Sequence, residues 1–122
     1  ASTARSTRAV LADLLSRHGL GLGTQAREVL VFGGQSAGAR GAMVHLDFIP
    51  GLLGAAASKV DVVGFLDSPL WIDVSPFPTH NFTGFNNTCR DVYGYANVTH
   101  IPEECRAAYP GEEWKCIMGE YR

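Results

Sequence analysis

Ser36 stands at the centre of Gly34-Gln35-Ser36-Ala37-Gly38, a GxSxG pentapeptide. A serine in this setting does nucleophilic chemistry when the five residues join a strand to a helix. The serine then sits on a strained turn that lifts its hydroxyl clear of the sheet edge. Side chains two residues before and two after would collide with the neighbouring strand and helix, so Gly34 and Gly38 are the residues such a turn needs. The Ala37 N–H, at the start of the following helix, is placed to donate to developing negative charge. Gly33-Gly34 and Gly38 do not fit GxGxxG, and no Gly-Lys-Ser/Thr follows, so a phosphate-binding turn is the weaker reading.

A serine nucleophile needs a base and a carboxylate, in the chain order Ser, acid, His for a fold of this kind. His18 precedes Ser36 and reads as a partner of a helix end. His45 lies nine residues on, about 13 Å along a helix at 1.5 Å per residue, too far to reach. His80 and His100 fall in loops rich in sequons and read as solvent-exposed. Asp67, directly after a strand-like run, is the better acid candidate, and Asp73 reads as a cap of a local turn.

The surrounding pattern supplies the elements that must hold this serine. Residues 6 to 18 read as a helix with Val10, Leu11, Leu14 and Leu15 on one face, ended by Gly19. A Gly-rich loop follows from Leu20 to Gln25. Strands are expected near 28–33 and 59–66, each buried on both faces as in a parallel sheet. Between them a helix begins after Ser36 and ends at Pro50, with a short helix over 51–58. The order helix, strand, turn, helix, strand signals an α/β fold. After Asp67, prolines, sequons and cysteines describe a loop-rich region, with a short helix ending at Ala107-Ala108-Tyr109-Pro110. The expected division is 1–67, an α/β core segment, and 68–122, a Cys-containing region of the same incomplete domain.

Composition narrows the class. The 122 residues are 46% hydrophobic and 18% charged, with a formal net charge of −2, so nothing suggests a nucleic-acid footprint. No apolar run reaches the roughly 18 residues of a membrane span, so none is expected. The start lacks an initiator Met, and the chain reads as a piece of a longer protein. Three cysteines without a CxxC pair argue against zinc, and no metal or cofactor is expected. The odd count suggests one internal pair and one cysteine whose partner lies elsewhere. Sequons at Asn81, Asn86 and Asn97, close to the cysteines, favour a secreted chain.

The segment Val29 to Gly38 resembles the nucleophile region of the Notum and pectin acetylesterase family. The resemblance continues through Phe65-Leu66-Asp67-Ser68-Pro69-Leu70-Trp71-Ile72-Asp73, then through Ile101 to Cys105 and Gly111 to Cys116, where it is closer to Notum-like members. It implies a secreted carboxylesterase with a partial α/β-hydrolase fold, acting on an acetylated polysaccharide or an acylated protein. It makes Ser36 the nucleophile and Ala37 an oxyanion donor. It places the catalytic Asp and His beyond residue 122, which leaves Asp67, Trp71 and Asp73 as pocket or structural residues and this piece alone inactive. It pairs Cys105 with Cys116, and Cys89 with a cysteine outside. Ala39 departs from the second Gly of the usual motif, and Pro69 from a usual Gly. The alternatives are an inactive secreted binding module, or a lipase or peptidase on the same fold.

Overall fold

The computed structural model describes residues 2–24, 27–69, 71–78 and 81–121. Gln25 and His80, named above, lie outside the described residues. The chain divides into two compact units, Ala1–Asp67 and Ser68–Arg122.

In the first unit, α1 (Ser2–Arg17) begins four residues earlier than the apolar pattern suggests. Leu11 is buried and Leu14 and Leu15 are half-buried, but Val10 faces outward. Gly19, with φ 70°, takes the left-handed position after the helix, and the Leu20 N–H returns to the Leu14 carbonyl (3.0 Å). Two parallel strands follow, β1 (Glu28–Gln35) and β2 (Val60–Asp67), in register from Glu28↔Val60 to Gln35↔Asp67.

The connection between the strands is helical nearly throughout. It contains α2 (Ala37–His45), a 3-10 turn at Leu46–Phe48, α3 (Ile49–Leu53) and a second 3-10 turn at Gly54–Ser58. Pro50 does not end this run. It lies in the first turn of α3, where its missing N–H would have no intrahelical acceptor anyway. By length and composition the joined run Ala37–Ser58 is long and apolar enough to cross a bilayer, contrary to the expectation that no such run exists, because several short apolar stretches join into one helical run. It also carries Arg40, His45 and Asp47 and is broken by two 3-10 turns.

Among the described residues, the sheet is covered on one face only. Leu11, Ile49, Leu53 and Val60 form the buried cluster, with Leu30, Phe32 and Val62 packed against it. The opposite face presents Val29, Val31, Val63 and Phe65 to solvent. The expectation of strands buried on both faces therefore fails here: β1 alternates half-buried with exposed along its length. A parallel pair needs a second covering layer, and α1, α2 and α3 provide one.

The second unit is more helical than its composition suggests. A helix α4 (Phe85–Tyr95) occupies a stretch expected to be loop, and α5 (Glu103–Ala108) follows. Asn86, Asn87 and Thr88 open α4 and are weak helix formers, so tertiary packing decides its formation. α4 buries Cys89 and packs against the 3-10 turn Glu113–Ile117, which buries Trp114, Cys116 and Ile117. Arg90 lies over the Trp114 ring, 5.0 Å from its centroid. Cys105 and Cys116 are joined by a disulfide spanning 11 residues, which contributes about 3 kcal/mol by restricting the unfolded chain.

Candidate active site

Ser36 is the single residue between β1 and α2, with φ 51° and ψ −117°. A non-glycine residue reaches such a conformation only where the surrounding backbone fixes it. Two backbone bonds do so. The Ser36 N–H donates to the Asp67 carbonyl at the end of β2 (2.9 Å), and the Ser36 carbonyl accepts from the Arg40 N–H in the first turn of α2 (3.1 Å). Ser36 occupies the N-cap position of α2, yet its hydroxyl makes no cap hydrogen bond. The residue is exposed, as are Ala37 and Gly38. As the first helical residues, Ala37 to Ala39 present N–H groups without intrahelical acceptors beside that hydroxyl.

The glycines next to Ser36 have distinct physical reasons. A Cβ on Gly34 would lie 2.5 Å from the Gly38 carbonyl carbon, so β1 and α2 can meet only if residue 34 is glycine. A Cβ on Gly33 would lie 2.8 Å from the Phe65 Cβ and closer still to the Phe65 carbonyl oxygen. Gly33 is thus required by the neighbouring strand, a constraint set by the register Gly33↔Phe65. Gly38 lacks the steric requirement expected from sequence: among the described residues, apart from its chain neighbours and its own helix backbone, none comes within 4 Å of a Cβ there. Ala39, the departure from the family motif, is fully buried in α2 and fits as a helical residue.

The other residues singled out in the sequence have separate places. His18 Nε2 lies 3.4 Å from the Asp13 carboxylate, and His45 Nδ1 lies 2.9 Å from the Gly41 carbonyl at the far end of α2. Asp67 holds the turn at Ser36 through its backbone carbonyl. In the second unit the Asp73 N–H donates to the Glu120 carboxylate (2.6 Å), and the Asp73 carboxylate accepts from the Tyr121 hydroxyl (3.0 Å). That bond raises the Tyr121 pKa to about 12, with burial and the nearby carboxylates acting in the same direction. Trp71 stacks on Phe85, centroids 5.5 Å apart, whereas Phe65 lies on the open sheet face instead of in a core.

Sequence reasoning missed Tyr109, Lys115 and Tyr121. The Lys115 ammonium lies 5.3 Å from the centroids of both tyrosine rings and 2.6 Å from the Glu112 carboxylate. Their separation along the chain carries no helical or strand period, so no local pattern marks them.

The sequence matches the pectinacetylesterase family over residues 3–122. It is 30% identical over 117 residues to the palmitoleoyl-protein carboxylesterase notum1a of Danio rerio, covering 90% of this chain and 22% of that protein. It is 33% identical over 113 residues to the palmitoleoyl-protein carboxylesterase NOTUM of Drosophila melanogaster, covering 92% of this chain and 16% of that protein. The solved structure of the Wnt deacylase Notum from Drosophila superposes with a TM-score of 0.78 at 32% identity, over 97% of this chain and 33% of that one. The chain thus spans about a fifth of the length of these relatives and a third of the solved chain. The strand, turn, helix and strand around Ser36 are part of an α/β-hydrolase fold. Matched across nearly its whole length, the chain belongs to the pectinacetylesterase family.

Proposed function

We propose that this chain forms the nucleophile-bearing part of a secreted serine carboxylesterase. The observation that carries this reading is the conformation of Ser36, an exposed serine held at φ 51° between a parallel strand and a helix N-terminus. The Ser36 oxygen attacks the carbonyl carbon of a carboxylic ester while its proton passes to a base. The Ala37 N–H donates to the resulting oxyanion. Collapse of that intermediate expels the alcohol, protonated by the same base, and leaves an acyl group on Ser36. Water then attacks the acyl carbonyl, giving up a proton to the base, and releases the carboxylic acid and the free serine.

The base, its carboxylate partner and the second oxyanion donor come, on this reading, from parts of the protein outside these residues. Both units belong to one larger domain. Relatives named palmitoleoyl-protein carboxylesterases favour an acylated protein over an acetylated polysaccharide as substrate. The sequons at Asn81, Asn86 and Asn97 and the disulfide support an extracellular setting.

Labelling of the full-length protein with a fluorophosphonate probe tests the assignment. Stoichiometric labelling on the peptide containing Ser36, abolished in Ser36→Ala together with ester hydrolysis, is the expected result. Intact protein that stays unlabelled beside an active control would instead identify a binding module that has lost the chemistry.

A further inference from the structure

We propose that Asn97 carries an N-linked glycan whose first sugar stacks on the ring of Tyr95, so that the glycan becomes part of the C-terminal cap of α4. The proposal rests on the extracellular reading above and is independent of the chemistry at Ser36.

The three sequon asparagines are placed differently. Asn86 lies in the first turn of α4, half-buried, with its carboxamide oxygen accepting from the Asn87 N–H. Asn81 is exposed ahead of that helix, with no aromatic residue two positions before it. Asn97 sits just past the end of α4. The Val98 N–H donates to the Tyr93 carbonyl (3.1 Å) and the Asn97 N–H to the Gly94 carbonyl (3.2 Å), the paired bonds of a Schellman cap. Asn97 takes the left-handed position of that cap, with φ 46°. Its backbone is therefore committed to closing the helix, while its carboxamide makes no hydrogen bond to the described residues. The turn is also fixed from the other side, because the Arg106 guanidinium donates to the Thr99 carbonyl (3.0 Å).

Tyr95 lies two residues before Asn97, so the Cα atoms are at most about 7.6 Å apart by chain reach. Tyr95 is 97% exposed, more than any other large apolar or aromatic residue among the described residues. A pyranose presents a face of C–H bonds that suits the electron-rich face of a phenol ring. A sugar on Asn97 has that face within reach at no cost in ordering the backbone, which the cap already fixes. In the attachment step the Asn97 amide nitrogen bonds to the anomeric carbon of a lipid-diphosphate-linked oligosaccharide. The amide proton is released and the lipid diphosphate leaves.

Glycopeptide mapping and thermal melting of the full-length protein secreted from eukaryotic cells test this. Thr99→Ala removes the acceptor signal but leaves the cap in place, and Tyr95→Ala removes the platform from an exposed position. Sugar at Asn97 is expected in the parent protein. Each variant is expected to lower Tm by about 2–4 °C, and the double variant by no more than either alone. Fluorophosphonate labelling at Ser36 is expected to stay at the parent level throughout. Sugar at Asn81 or Asn86 with none at Asn97, or shifts that simply add, would overturn the proposal. Protein without sugar at any sequon would remove the extracellular reading and this proposal with it.

Discussion

Ser36 and its neighbours show how narrowly a strained strand-to-helix turn restricts its residues. A non-glycine residue at φ 51°, ψ −117° costs about 1–3 kcal/mol. Ser36→Gly relieves that strain, and the extra freedom of glycine in the unfolded chain offsets about 0.5–1 kcal/mol of the gain. Denaturant unfolding of full-length Ser36→Gly should therefore show unchanged or increased stability, by up to about 2 kcal/mol, together with complete loss of labelling. The glycines divide in the opposite sense. Gly33→Ala and Gly34→Ala drive a methyl into fixed backbone and should each destabilise by about 3 kcal/mol or more. Gly38→Ala and Gly41→Ala, in helix α2 with open space at the Cβ, should be neutral or gain about 0.5–1 kcal/mol. Equal penalties at all four positions would remove the steric account. The strained turn at Ser36 was legible from sequence because its signature is local. The need for Gly33 was not, because it depends on which residue of β2 lies opposite.

At the scale of elements, the sequence shows what periodicity can mark and hides what packing decides. β1 and β2 follow from a β-branched run and a second apolar run and lie within two residues of their expected bounds, whereas α2 begins after Ser36 as expected but ends at His45, short of Pro50. α4 was invisible, because a glycine and two asparagines at its start read as a turn while burial of Cys89 against the turn at Trp114 holds it helical. The link from Asp73 to Tyr121 joins residues 48 apart and leaves no local trace. It does leave a pH signature. With its pKa raised from 10.0 to about 12, Tyr121 binds its proton more tightly folded than unfolded. Its contribution to stability is complete below pH 10 and is lost as pH rises from 10 to 12. Denaturation midpoints across that range should fall more steeply for the parent protein than for Tyr121→Phe, and parallel profiles would show that the bond contributes nothing. UV titration should find in the parent a tyrosine component ionising near pH 12, and that component should vanish in Tyr121→Phe.

At the scale of the molecule, the half-covered sheet of the first unit sets the behaviour of the 122 residues taken alone. Val29, Val31, Val63 and Phe65 lie on one face, each about half exposed or more. They form the kind of contiguous apolar patch that soluble monomers rarely present. Isolated, the chain should bind a hydrophobic dye such as ANS and self-associate with rising concentration. Phe65→Ala should reduce both effects at little cost to stability, because little apolar contact is lost at an exposed position. In the full-length protein, where this face of an α/β-hydrolase sheet is expected to lie beneath further helices, the same substitution should cost about 3–5 kcal/mol. The sign and size of that difference separate a sheet face that is natively open from one that the rest of the domain covers. Comparable losses in both contexts would mean that Phe65 is already held by the chain's own residues. Negligible losses in both would mean that the face stays open in the whole protein and is available as a surface.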